Sequence, residues 1–198
     1  MTERPHHRPT TPGSHYFEAI STGVDPAELR EAADRAATLL VRGAHDTADD
    51  RVADRLLHLA DTEGIETIAE VWSGSPGDSL AGCLWRLFLL RSWVYADPTG
   101  VARQFEAGRS AAPVALVVAG VAEPPGPGEL KAMVDQVLRG VVEADFADVL
   151  FRAAAFARVV ATGRAGLATS TEREVSRMLG LAEQLEAAGH LELAHGLA

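Results

Sequence analysis

The chain is predicted to fold as an all-α bundle, irregular or orthogonal in its packing, with about seven to nine helices. Cap chemistry is the first observation behind this. Acidic or hydroxyl residues, in places followed by proline, repeatedly open apolar stretches that a glycine closes, as at helix starts and stops. Periodicity is the second: within those stretches apolar residues recur at helical spacing. The third is the lack of a partner strand. Val114-Ala115-Leu116-Val117-Val118 has strand-like composition, but a lone strand has no sheet to join, so residues 112–122 are read as helix.

Taken in order, residues 1–15 are proline-rich and poor in apolar side chains, which predicts a disordered tail. Residues 16–198 are read as one helical domain. The first helix is expected from Pro26 to Arg42, with Leu29, Ala32, Ala33, Ala36 and Leu40 inward and Gly43 as its stop. A second runs from Ala48 to Thr62, and a short third from Ile65 to Trp72. The cluster Ser73-Gly74-Ser75-Pro76-Gly77 breaks the chain there. The helix from Ser79 to Tyr95 is apolar around most of its circumference, which predicts burial on several sides at the centre of the bundle. Asp97-Pro98 opens a short helix that Gly108 closes. Residues 123–128, Glu-Pro-Pro-Gly-Pro-Gly, form the clearest internal linker. Glu129 to Arg139 is then helical, stopped near Gly140. Asp145 opens a long helix ending at Gly163, with Phe146, Val149, Leu150, Ala153, Ala157 and Val160 on one stripe. Thr171 opens the last long helix, which Gly189 stops, and a short turn over Leu191–Leu197 ends the chain. A weak echo between Pro26-Ala27-Glu28-Leu29-Arg30 and Pro127-Gly128-Glu129-Leu130-Lys131 is consistent with an internal duplication broken near 123–128. Recurrence of proline-led acidic first turns is the simpler explanation.

Composition narrows the partners. Among 198 residues, 28 Asp and Glu outnumber 18 Lys and Arg, a formal net charge of −10. Phosphate backbones need clustered cations, so no nucleic-acid partner is expected. Anionic membranes are disfavoured for the same reason. The apolar run Leu80–Tyr95 is short for a membrane span and carries Arg86 and Arg91. A single cysteine, Cys83, allows no internal disulfide. The amino-terminal stretch lacks the apolar segment of a secretory signal, and a cytoplasmic location is expected.

No catalytic or cofactor motif is recognisable. Glu192-Leu193-Ala194-His195 has the spacing that puts a carboxylate and an imidazole on one helix face. A di-metal bundle needs a second such pair and two more glutamates, so no metal is expected. Asp54 and His58 are one turn apart without further ligands. Cys83 sits in the most apolar helix, where a thiol behaves as a small hydrophobe. Ser73, Ser75 and Ser79 have no nucleophile elbow around them. Gly126-Pro127-Gly128-Glu129 opens a helix but lacks the lysine and hydroxyl of a phosphate loop.

The candidate site residues are Arg86, Arg91 and Trp93. A guanidinium set among apolar neighbours needs a partner. Either the two arginines form an anion or carboxylate pocket walled by Trp85 or Trp93, or they pair with internal acids, or they reach solvent.

The segments Leu84-Trp85-Arg86-Leu87-Phe88-Leu89-Leu90-Arg91-Ser92-Trp93, Val118-Ala119-Gly120-Val121 with Pro124-Pro125-Gly126-Pro127, and Phe156-Ala157-Arg158-Val159-Val160-Ala161 together resemble a family of short, uncharacterised all-helical actinobacterial proteins. The resemblance implies a lineage and a helical fold, and no activity. The leading expectation is a non-enzymatic protein acting through protein–protein contacts, including self-association as a homodimer. The alternative is a small-molecule or anion binder with a pocket near Arg86, Arg91 and Trp93. An enzyme of unrecognised type comes third. No cofactor is expected.

Overall fold

The described residues, 26–47, 72–109, 126–143, 145–167 and 170–197 of a computed structural model, form six helices and no strand. The helices are α1 (Pro26–Thr47), α2 (Leu80–Ala96), α3 (Pro98–Arg109), α4 (Pro127–Glu143), α5 (Phe146–Gly166) and α6 (Glu172–His195). The all-α expectation holds across them. The expected tail over 1–15, the helices over 48–62 and 65–71, the run Val114–Val118 and the 123–125 part of the linker lie outside the described residues, as do Asp54 and His58.

Helix starts fall where cap chemistry puts them. The Ser79 hydroxyl accepts from the Gly82 N–H at 3.1 Å and opens α2. Asp97 accepts from the Gly100 N–H at 2.8 Å at the start of α3. Asp145 accepts from the Ala147 N–H at 2.9 Å at the start of α5. Thr171 and Glu174 form a reciprocal capping box at the start of α6. Each such cap satisfies an N–H that the first helical turn leaves without a carbonyl.

Several helix ends differ from expectation. α1 continues through Gly43 to Thr47, α4 through Gly140 to Glu143, α5 through Gly163 to Gly166, and α6 through Gly189 to His195. Gly163 and Gly189, with Gly108 of α3, serve packing between helices. A Cβ on Gly163 would lie 1.7 Å from the Gln104 carbonyl oxygen, and one on Gly108 would lie 1.9 Å from that of Val159. α3 and α5 thus touch backbone to backbone, with the Phe105 and Phe156 rings stacked at 5.6 Å beside the contact. Gly189 lies under the Phe151 ring, which a Cβ would meet at 2.9 Å. The residue that ends α6 is Gly196, at φ 75°, a conformation most side chains avoid.

The sequence places α2 at the centre, and the structure gives that position to α2 and α5 together. α5 packs most extensively on α6 and α3, and also meets α4 and α2. Its expected stripe is buried, and so are Ala154, Ala155, Val159, Ala161 and Gly163. These small residues let neighbours approach α5 on several sides, so no single stripe describes it. α2 packs against α1 and α4 and touches α3, α5 and α6. Trp72 joins this core by stacking on Phe88 at 6.0 Å and donating its Nε1–H to the Ala33 carbonyl at 3.1 Å. On α1 the buried residues are Ala33, Ala37 and Val41, while Ala32 is exposed. Ala36 and Leu40 of the expected stripe are half-buried against the core, and the buried face extends to Ala37 and Val41. No helix among the described residues is long and apolar enough to cross a membrane.

The carboxyl end of α6 is tied to α1. Arg42 donates through Nη2 to Glu192 at 2.7 Å and through Nη1 to its other oxygen, a bidentate pair. Glu192 also accepts the Leu197 N–H at 2.7 Å. Arg42 holds the Glu192 carboxyl below its ordinary value, against the opposing effect of burial. A lowered folded-state pKa means that this stabilisation is full above the unfolded value and is lost as pH falls through the folded one. Glu192→Gln should therefore cost about 1–2 kcal/mol at neutral pH. The variant should also lose less stability than the wild type when urea unfolding is repeated from pH 5 down to pH 3. Equal acid sensitivity in both would contradict this role.

Candidate functional site

The three expected site residues leave α2 in two directions, as helical geometry requires. At about 100° per residue, Arg86 and Trp93 fall on one face two turns apart, while Arg91 points about 160° away from Trp93.

Arg91 is buried, 6% exposed, and faces α4. Its Nε donates to Asp135 at 2.7 Å, and the Tyr95 hydroxyl donates to the other oxygen of the same carboxylate at 2.6 Å. The Arg91 guanidinium lies 4.1 Å from the centre of the Tyr95 ring, and the Lys131 ammonium 4.8 Å from it. This is an internal ion pair with a shared tyrosine, built between α2 and α4.

Arg86 is half-buried and faces α6. Its Nε donates to the Gln184 side-chain carbonyl at 2.7 Å, and its Nη1 to the Gly82 carbonyl at 2.7 Å. It rests against Gly77 in the loop before α2. Its hydrogen-bonding partners are neutral, so Arg86 fastens loop and helix without a carboxylate.

Trp93 lines a cleft of about 380 Å³ between the carboxyl half of α2 and the amino half of α6. Leu89, Leu90, Met178 and Leu181 complete its apolar wall, and Arg164, Glu174 and Arg177 also line it. Neither Arg86 nor Arg91 lines it. The Arg164 guanidinium sits 4.9 Å from the Trp93 ring centre and is held by a 3.2 Å bond from its Nε to Gln104 on α3. Glu174 is fixed by its cap: its Oε2 accepts from both the N–H and the hydroxyl of Thr171 at 2.8 Å. Those bonds hold its carboxyl below the ordinary value, and the nearby Arg164 and Arg177 charges act in the same direction. The site thus offers an apolar floor, one indole face and a rim of two cations and one anion.

Sequence reasoning finds Trp93 here and misses Arg164 and Arg177. Arg164 reads as a last-turn cation complementing a helix dipole, and Arg177 as an exposed helix residue. Nothing local joins them, because Arg164 on α5 and Arg177 on α6 meet Trp93 of α2 only when the helices pack.

The other candidates go elsewhere. Among the described residues no cluster of three or more His, Cys, Asp or Glu side chains is arranged to hold a metal. Glu192 is engaged by Arg42, and His195 is exposed at the end of α6. Cys83 is fully buried, and burial pushes its thiol up to about 12. In native protein at pH 8 it should react with a disulfide reagent roughly a hundredfold or more slower than a small free thiol. Full reactivity should return in denaturant. Fast labelling of the native state would contradict the burial. Comparison with protein-family models, with curated proteins and with solved structures found no match to this chain.

Proposed function

We propose that this protein is a non-enzymatic small-molecule binder whose site is the cleft between α2 and α6. The observation that carries the reading is an apolar cleft of about 380 Å³ with Trp93 in its wall and charged groups confined to the rim. Pockets for small organic ligands span roughly 300–1,000 Å³ and combine an apolar lining with few polar groups. Among the described residues no nucleophile lines this one, and the one carboxylate that does is committed to a helix cap. Binding therefore suits these groups better than catalysis.

The wider proposal keeps the bundle of about seven to nine helices, with further helices over 48–62, 65–72 and 112–122, and a cytoplasmic location. Action through protein–protein contacts, including self-association, is the second reading. Its support is the exposure of Leu39, Leu89 and Leu193, which lie on three different helices. That is a thinner basis than a formed cleft.

The test uses the neutral apolar probe N-phenyl-1-naphthylamine. We expect saturable enhancement of its fluorescence at one site per chain. Leu89→Gln/Leu181→Gln should weaken binding roughly tenfold by replacing two apolar wall residues. Leu89 is 39% exposed and Leu181 half-buried, so the variant should stay folded. Unsaturable binding, or binding indifferent to these substitutions, would remove the cleft as the site.

A further inference from the structure

The rim of the same cleft narrows the ligand class, an inference that rests on the cleft being a ligand site. We infer that it takes a monoanionic amphiphile: an apolar body of about a dozen non-hydrogen atoms ending in one carboxylate. The size follows from the cavity, since about 380 Å³ accommodates roughly twelve groups at the ~30 Å³ of a water molecule.

The charge follows from how the rim groups are engaged. Arg164 commits its Nε to Gln104 and one face of its guanidinium to Trp93. Its terminal N–H groups, which form the fork that suits a carboxylate, have no protein partner among the described residues. Arg177 is exposed and hydrogen-bonds to no described residue. Glu174 is the opposing charge, and its Oε2 already accepts twice from Thr171. Among the described lining residues, two cations and one pinned anion leave a local excess of one positive charge, on a chain whose formal net charge is −10. One anionic head satisfies that excess. A dianion would face Glu174 unpaired, and a cation would face two arginines. The acidic remainder of the molecule disfavours polyanions, which makes a small singly charged ligand the match.

Titration calorimetry compares decanoate, 1-decanol and decyltrimethylammonium, all below their micelle concentrations and at low ionic strength. Decanoate should bind roughly tenfold tighter than 1-decanol, and the ammonium weakest. Arg177→Gln should weaken decanoate roughly fivefold and leave 1-decanol unchanged. Glu174→Gln keeps an acceptor for the cap and should strengthen decanoate severalfold. High salt should erase much of the decanoate advantage. Equal binding of decanoate and 1-decanol would overturn the charge inference while leaving the cleft standing as a site. Preference for the ammonium would overturn it too, and binding of none of the three would overturn both.

Discussion

Gly163→Ala should lower stability by about 3 kcal/mol or more, whereas Gly180→Ala should raise it by about 0.5–1 kcal/mol. Both glycines lie inside helices, and helix propensity alone predicts the same gain at each. The sign differs because of what a new Cβ meets. At Gly163 it would lie 1.7 Å from the Gln104 carbonyl oxygen and 2.6 Å from the Gly108 nitrogen, and at Gly180 it meets nothing within 4 Å. Backbone atoms of a packed neighbouring helix cannot rotate aside, so α3 must move off α5. That separation would loosen the Phe105–Phe156 stack and the cover over Val159 and Val160. For a chain of this size each kcal/mol shifts Tm by about 2–4 °C. Thermal unfolding should therefore show a fall of about 6–12 °C for Gly163→Ala and a small rise for Gly180→Ala. Two small rises would mean that α3 and α5 do not touch as described.

The second large effect is at Arg91. Replacing it with Met strands the Asp135 carboxylate against α2 with only the Tyr95 hydroxyl as the remaining donor in the pair. Breaking a buried pair costs roughly 3–5 kcal/mol. Asp135 is 27% exposed, so water relieves part of the loss and about 2–4 kcal/mol is expected. Arg91→Met/Asp135→Leu should recover part of the deficit, because the double variant does not leave the Asp135 carboxylate stranded. Arg86→Met should cost only about 1 kcal/mol, since both of its acceptors are neutral and Gln184 is exposed to water. Phosphate and sulfate should shift the Tm of Arg91→Met no more than that of the wild type. Chemical and thermal unfolding of the four proteins at fixed ionic strength measure all of this. An Arg91→Met protein as stable as wild type, with an anion-dependent shift that vanishes on mutation, would make Arg91 part of an anion site.

The two arginines show where sequence reading reaches and where it stops. That Arg91 needs a partner follows from its apolar neighbours. That the partner is Asp135 depends on α4 lying alongside α2, which no local pattern encodes. Helix starts at Ser79, Asp97, Asp145 and Thr171 are legible because a cap and its N–H lie within three residues of each other. Helix ends are not, because glycine has two uses. Gly196 ends α6 through its backbone conformation, while Gly163 and Gly189 continue their helices and make room for a carbonyl and for Phe151. Both uses look the same in one dimension. The cleft is half legible for the same reason. Trp93 and Leu89 share a face of α2 at helical spacing, but Arg164 and Arg177 come from two other helices and join them only on packing.

The most direct test of the cleft uses its one methionine. Met178 lines the cleft, and Met133 sits half-buried on α4. With methionine methyl groups labelled by carbon-13, titration with decanoate should move the Met178 signal saturably and leave Met133 in place. A stationary Met178 signal at ligand saturation, or equal shifts of both methyl groups, would contradict the assignment of the site.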